Sequence, residues 1–341
     1  MSAQYAKDLP AGVSNHIEKV AIVGAGGRIG KPITKALLAT GKHTVTVLTR
    51  TGSTSPIPKG VKVVEIDYDN DDTIVNALKG QDYFIITMSA AAPQESHHQL
   101  VAAAGKAGIK YIMPNIYGYM NKDVEAMNTS HFAMLGLGAN YVAAVKDIIA
   151  HGAKWTGITC SFWYEYSIAA GPQFYGFDLP ARRAIFYSDG NIKINTTTFQ
   201  QVGRAVASFL SLPILPASGS SDELTMSKYF NTPIKISSFY ISQREMLDSI
   251  QRVTGTSDAD WTITYEDPTE EHNKALNVVA GGGPDARMAF AKALYTRIFL
   301  PGPVADEIRS VEGIDNEELG LPEEDLDQAT KVALGLPQVK G

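Results

Sequence analysis

The sequence predicts an α/β fold: a doubly wound parallel sheet followed by a smaller, mostly α-helical C-terminal lobe. Three observations predict it. A Gly-rich turn, Gly24 to Gly30, directly follows the apolar run KVAIV and directly precedes a helical pattern. Apolar strand-like runs and helical patterns then alternate as far as Phe162. One of those runs, YFIIT at Tyr83 to Thr87, is apolar on both faces, as a strand covered from two sides must be. Together they describe the Rossmann arrangement. The 341 residues exceed what one hydrophobic core usually serves, so two lobes with a cleft between them are expected.

Taken in order, KVAIV from Lys19 is the first strand, Ile29 to Thr40 the first helix and HTVTVLTR, His43 to Arg50, the second strand. That completes one βαβ unit. A third strand follows at Val61 to Ile66, a helix at Asp71 to Lys79 and the fourth strand at Tyr83 to Thr87. Helix His97 to Ala107, strand Tyr111 to Met113, helix Tyr141 to His151 and strand Thr156 to Phe162 continue the alternation. From Trp163 to Tyr187 the chain turns aromatic and is punctuated by Gly and Pro, marking the second lobe. A strand and helix read across Ile192 to Leu210, a Pro- and Ser-rich connection across Leu212 to Asp222, and a further strand across Thr232 to Ser242. Ser242 and Glu245 have capping-box spacing ahead of the apolar face Met246 to Val253. Helices at Pro268 to Val279 and Pro284 to Phe299 and an acidic stretch, Glu312 to Asp327, complete the chain. The expected division is an extension over 1–18, a nucleotide-binding domain over 19–163, a substrate lobe over 164–330 and a tail over 331–341. Segments 192–212 and 232–242 are expected to return to the main sheet.

Composition narrows the function. Hydrophobic residues make up 44% and charged residues 19%, as in an ordinary globular enzyme. A net charge of -6 without any long Lys/Arg run argues against nucleic acid or an anionic membrane as partner and favours small-molecule chemistry. No window approaches a spanning helix, and the first 18 residues lack an apolar signal core, so a cytoplasmic location is expected. The single cysteine, Cys160, forms neither an internal disulfide nor a cysteine metal site and reads as a small buried apolar residue.

Gly24, Gly27 and Gly30 have GxxGxxG spacing, with Gly26 between them. Such glycines let backbone approach a diphosphate, while the free amides and helix dipole from Arg28 through Ile29 and Gly30 to Lys31 favour its charge. The end of the second strand decides which dinucleotide fits. An acid there would bind a ribose 2′-hydroxyl, but the chain has Thr49, Arg50, Thr51, Gly52 and Ser53. A guanidinium and hydroxyls suit a 2′-phosphate, so NADP(H) is the expected cofactor; the competing reading of Arg50 is a solvated surface cation. Lys59 is a weaker candidate for the same phosphate.

The turn Gly24 to Gly30, the Arg50 strand end, GVKVVEIDYDNDDTIVNALKGQDYFI and QLVAAAGKAGIKYIMPNIYG together resemble the NmrA-like and isoflavone-reductase-like family of atypical short-chain dehydrogenases. TGITCSFWYEYS and ISSFYISQREML resemble its fungal secondary-metabolism branch. The resemblance covers Lys19 to Thr254 and implies NADP(H) lying across the strand ends beneath a small second lobe. It places Thr87, Met88 and Ser89 beside the cofactor's ribose and phosphates, Pro114 and Asn115 near the nicotinamide, and Asp67 and Tyr68 near the adenine.

Two departures bear on chemistry. Tyr117, Tyr119, Tyr141 and Tyr164 are followed four residues later by Asn121, Asp123, Val145 and Ile168, so the Tyr–Lys pair of ordinary short-chain dehydrogenases is missing. The lysine that the isoflavone-reductase branch carries near the start of the helix at Tyr141 is replaced by Val142. Lys146, one turn on, is a candidate substitute, and Tyr117, Glu165 and Tyr166, on loops at strand ends, are candidate proton donors or carboxylate partners. His97, His98 and His131 lack metal-site spacing and read as helix-terminal or surface histidines.

Phe162, Trp163, Tyr164, Tyr166, Phe174, Tyr175 and Phe177 form a dense aromatic cluster. It reads either as a pocket wall for a flat aromatic or alkaloid-like substrate or as packing between lobes. Three functions compete: a reductase passing hydride from NADPH to a C=C, C=N or C=O bond, a non-redox cyclase or rearrangement enzyme that keeps NADP in its pocket, and an NmrA-like redox sensor without turnover.

Overall fold

The computed structural model describes residues 4–89, 92–118, 137–219, 222–302, 305–306 and 309–336. In chain order the strands are β1 (Lys19–Val23), β2 (Thr44–Arg50), β3 (Lys62–Ile66), β4 (Tyr83–Ile86), β5 (Tyr111–Met113), β6 (Tyr117–Gly118), β7 (Lys154–Thr159), β8 (Phe162–Trp163), β9 (Phe177–Asp178), β10 (Arg183–Tyr187), β11 (Lys193–Thr197), β12 (Thr232–Lys235), β13 (Phe239–Ser242) and β14 (Thr262–Glu266). The helices are α1 (Gly30–Ala39), α2 (Asp71–Leu78), α3 (Gln94–Ala107), α4 (Leu137–Ala150), α5 (Tyr164–Ala169), α6 (Phe199–Leu210), α7 (Gln243–Thr254), α8 (Pro268–Gly281), α9 (Ala286–Thr296) and α10 (Leu326–Leu334).

Among the described residues the main sheet has the order β12-β7-β5-β4-β1-β2-β3, with β6 beside β7, and its pairings are all parallel. The order reverses between β1 and β4, and in such sheets a crevice opens at that point beyond the strand ends. Strand alternation explains the two layers. Val20 and Ile22 of β1 face Ile33 and Leu37 of α1 and Val202 and Phe209 of α6. Ala21 and Val23 face Ile74 of α2, Leu100 of α3 and Val145 of α4. A strand covered on both sides must be apolar throughout, which is why all four residues of β4 are buried. Each such side chain contributes about 1.5–3 kcal/mol.

The second lobe contains helices and, among the described residues, two three-stranded sheets, β14-β10-β9 and β13-β11-β8. Its own core includes Tyr164, Tyr175, Phe177, Phe186, Leu247 and Phe299. Ser242 and Glu245 form the capping box at the start of α7, with the Ser242 amide donating to the Glu245 carboxylate at 2.8 Å.

Three segment expectations change. Over 192–212, strand β11 pairs with β13 and β8 instead of returning to the main sheet, because β13 and not a Rossmann strand supplies its ladder. Its helix α6 does return, packing on α1 where a Cβ at Gly203 would lie 2.6 Å from the Pro32 carbonyl oxygen. Over 232–242 the expected single strand is broken: β12 joins the main sheet beside β7, and β13 leaves it for β11. The break lies at Ser237 and Ser238, where the Asn316 side chain bonds the Ser237 backbone and the Ser238 amide donates to Thr196. The supposed tail begins inside α10, whose Ala333 is fully buried, and 337–341 lie outside the described residues. Among the described residues, no helix is long and apolar enough to cross a membrane.

Candidate active site

The turn between β1 and α1 is built by close approach. Gly24 has φ +80°, and a Cβ there would lie 1.7 Å from the Thr87 carbonyl oxygen. A Cβ at Gly30 would lie 2.1 Å from the Gly24 carbonyl oxygen. Thr87 donates to the Val23 carbonyl through both its amide, at 3.1 Å, and its hydroxyl, at 2.7 Å. The turn is therefore fused to the end of β4. In the first turn of α1 the Lys31 amide donates to the Gly27 carbonyl at 2.9 Å and Pro32 has no N–H, so the backbone offered to the crevice is that of Arg28, Ile29 and Gly30. Gly26 does a different job, since its missing Cβ leaves room for the Pro56 carbonyl of the loop after β2.

A cleft of about 1400 Å³ begins at this turn and runs between the lobes. Of the expected cofactor residues, Gly27, Arg28, Ile29, Gly30, Thr87, Met88, Ser89 and Asn115 line it. Asn115 accepts a hydrogen bond from the Met88 amide at 2.9 Å, tying the loops after β4 and β5 together. Gly24, Gly26 and Pro114 support the wall without lining it. Thr49, Arg50, Asp67 and Tyr68 stand at the ends of β2 and β3, outside the cleft lining. Arg50 is in register with Ile66, and its cation acts on the Tyr68 phenol, which burial raises.

The aromatic cluster divides in two. Phe162, Trp163, Tyr166 and Phe174 line the cleft. Tyr164, Tyr175 and Phe177 do not: they are fully buried in the second core, so their assignment to the pocket wall is corrected. The reason is local geometry. On α5 the positions of Tyr164 and Ile168 face inward and Tyr166 faces the cleft, while the Tyr164 hydroxyl pairs with Thr330 at 2.6 Å and that of Tyr175 donates to Thr196 at 2.9 Å. The wall opposite comes from α9, through Met288, Phe290, Ala291, Leu294 and Tyr295. Their helical spacing is visible in sequence, but nothing there says which surface they cover. Tyr295 packs against Phe162 with ring centres 4.3 Å apart and against Phe174 at 4.9 Å.

The candidate catalytic residues also divide. Tyr117 and Tyr166 line the cleft. The Tyr117 hydroxyl donates to the Ile86 carbonyl at 3.2 Å, and burial drives its phenol well above the ordinary range, so it holds its proton. Tyr166 lies beneath Arg28, the guanidinium carbon 4.7 Å from the ring centre.

Glu165 is a correction. It is 2% exposed, and both carboxylate oxygens accept from the Phe199 amide at the start of α6, so it caps a helix away from the cleft. Burial pushes its carboxyl up to about 7. Lys146 is a second correction. The α4 residues on the cleft are Asn140, Tyr141, Ala143, Ala144 and Asp147, and Lys146 stands exposed outside that stripe. Val142, at the expected lysine position, is buried toward the second core.

Burial pushes the Cys160 thiol up to about 12, in keeping with a packing role. Tyr119, Asn121, Asp123 and His131 lie outside the described residues. No metal-holding cluster of His, Cys, Asp or Glu occurs among the described residues. His97, His98 and Asp147, however, line the cleft, a placement that sequence reasoning missed because it joins two helices far apart in the chain.

The NmrA-like family model matches residues 16–136. The chain is 28% identical over 313 residues to the oxidoreductase aprR of Aspergillus flavus, covering 91% of this chain and 96% of that protein. It is 31% identical over 211 residues to the oxidoreductase BOA1 of Botryotinia fuckeliana, covering 57% of this chain and 67% of that one. The solved structure of AtPrR2 with NADP+ and (+)pinoresinol superposes with a TM-score of 0.68 at 18% identity, covering 93% of this chain and 99% of that one. The chain belongs to the NmrA-like family.

Proposed function

We propose that the chain is an NADPH-dependent reductase of an aromatic small molecule. The observation that carries this reading is one cleft that joins the turn at Gly27 to Gly30 with the aromatic walls Phe162, Trp163, Phe174, Phe290 and Tyr295. A dinucleotide fits the near end: a backbone too tight for any side chain at Gly24 and Gly30, the exposed turn backbone from Gly27 to Gly30 ahead of α1, and Arg28 at the rim. Arg50, flanked in the chain by Thr49 and Thr51 at the end of β2 where an acid would select a free 2′-hydroxyl, supports the 2′-phosphorylated form. The relatives aprR and BOA1 are oxidoreductases, and AtPrR2 was solved with NADP+ and (+)pinoresinol, which weighs toward reduction of a ring-bearing metabolite over cyclisation or sensing.

Bound there, the cofactor supplies a hydride. The protein's own residues do the rest. Arg28 and the turn amides hold the diphosphate, and the Met88–Asn115 link fixes the two loops that frame the reacting end. The facing aromatic walls orient a flat substrate and exclude water. The test is loss of nicotinamide absorbance on adding pinoresinol, an isoflavone or an aryl aldehyde to the protein with NADPH. Substrate-dependent oxidation supports the reading, and a protein that binds no NADPH in a calorimeter overturns it.

A further inference from the structure

Reduction of a polar double bond takes a proton as well as a hydride. The Tyr117 hydroxyl is committed to the Ile86 carbonyl, Glu165 caps α6, and Lys146 stands off the cleft. The wall formed by α3 and α4 carries a different group. His98 Nδ1 lies 3.0 Å from Asp147 Oδ1, linking the two helices. His151, four residues on and just past the end of α4, places its Nδ1 3.2 Å from the same oxygen and 2.9 Å from the Asp147 carbonyl, and its ring meets that of His98 edge-on at 6.0 Å.

Exposure separates the roles within this group. The Asp147 side chain is 15% exposed, and its Oδ2 is buried without a partner among the described residues. The His98 side chain is 54% exposed on the cleft. With Nδ1 held by the carboxylate, Nε2 is the nitrogen left to meet a ligand, since the partner of one ring nitrogen sets the state of the other. His97, beside it, is buried with Nε2 unpartnered, and burial lowers its imidazole to about 4, so it faces the pair as a neutral neighbour. Glu95 is the further charged residue on this stretch of α3 that lines the cleft.

Resting on the reductase reading, we propose that His98 is the proton donor of the cleft and Asp147 its positioning residue. The substrate class that follows is a carbonyl, an imine or their conjugated equivalents, attached to an aromatic ring. In balance, the substrate carbon gains the hydride and the π pair moves to the oxygen or nitrogen. That atom takes the proton from His98 Nε2, and the cofactor leaves oxidised by two electrons. The neutral imidazole keeps its Nδ1 proton on Asp147 and recovers the other from water at its exposed edge.

The test follows NADPH oxidation with an aryl aldehyde and an isoflavone from about pH 5 to about pH 9, in wild type, His98→Gln, His98→Ala and Asp147→Asn. His98→Gln is expected to lower kcat about a hundredfold or more and to remove one ionisation from the kcat profile. NADPH affinity should stay within about twofold of wild type, because the imidazole holds no part of the cofactor in this scheme. Added imidazole should restore part of the activity of His98→Ala, which a packing role would not allow. Asp147→Asn should show a smaller loss in kcat with KM little changed. Turnover by His98→Gln within about tenfold of wild type, or with the same ionisation retained, overturns the assignment alone. A wild-type protein that binds NADPH but oxidises it with none of the probes overturns the reductase reading, and the assignment with it.

Discussion

The guanidinium of Arg28 stacks on the ring of Tyr166, so the glycine turn of the first lobe and helix α5 of the second touch across the mouth of the cleft. Cation–π contacts of this kind contribute about 0.5–1 kcal/mol at exposed sites. Arg28→Ala is expected to weaken NADPH binding roughly tenfold or more, as loss of a charge-assisted hydrogen bond does. Tyr166→Leu should weaken it only about twofold to fivefold, by freeing the guanidinium without removing it. Titration calorimetry on both variants separates the two. Equal losses would show that the stack, not the charge, holds the nucleotide.

Arg50 gives a second expectation. It is exposed at the end of β2, beside Tyr68 and outside the cleft lining. Arg50→Ala should cost NADPH about 1.5–3 kcal/mol of binding and NADH almost nothing. If both dinucleotides lose equally in a binding titration, Arg50 does not read the 2′-phosphate.

The glycine turn predicts a stability defect. At Gly30 an added methyl would meet the Gly24 carbonyl oxygen at 2.1 Å and the Thr87 hydroxyl at 2.7 Å, neither of which can move without breaking the β1–β4 contact. Gly30→Ala should lower unfolding free energy by about 2–4 kcal/mol in urea and abolish dinucleotide binding. Gly41→Ala is the control. Gly41, unlike Gly30, has positive φ, but open space surrounds it, so a cost of about 1 kcal/mol and normal binding are expected there.

Glu165 predicts a pH dependence of stability. Its carboxyl is raised to about 7 by burial, above its unfolded value of about 4.3. Between those values the folded protein binds the extra proton, so stability falls as pH rises through that window. Glu165→Gln keeps an acceptor for the Phe199 amide and should flatten the slope, leaving the variant on the order of 2–3 kcal/mol more stable than wild type above pH 7. Urea midpoints at either end of the window check this. A variant with the wild-type slope would show that another group titrates.

Much of the first lobe is legible in the sequence because its signals are local. The turn, the strand alternation and the doubly apolar β4 each follow from residues within one element or its neighbours. The cleft lining on that side is legible in two ways: Gly27 to Gly30 through the local glycine turn, and Met88 and Asn115 through the family resemblance. The second lobe is not. Tyr164 and Tyr166 belong to the same short helix and have the same side chain but for position, yet one is core and the other cleft, a choice made by where Thr330 and Phe174 lie. The His98–Asp147 pair depends on how α3 packs on α4, and neither helix announces it. Glu165 reads as a cleft carboxylate because its segment follows a strand; the amide at Phe199 claims it instead.

Helix α10 bears on how the molecule is made. Its Thr330 hydroxyl sits between Tyr164 of α5 and Ser249 of α7, at 2.6 and 2.7 Å, and so underpins the helix that carries Tyr166 into the cleft. These are among the last described residues to leave the ribosome. The nucleotide-holding half can take shape before α10 has been made, but the floor beneath the substrate waits until Thr330 has been added.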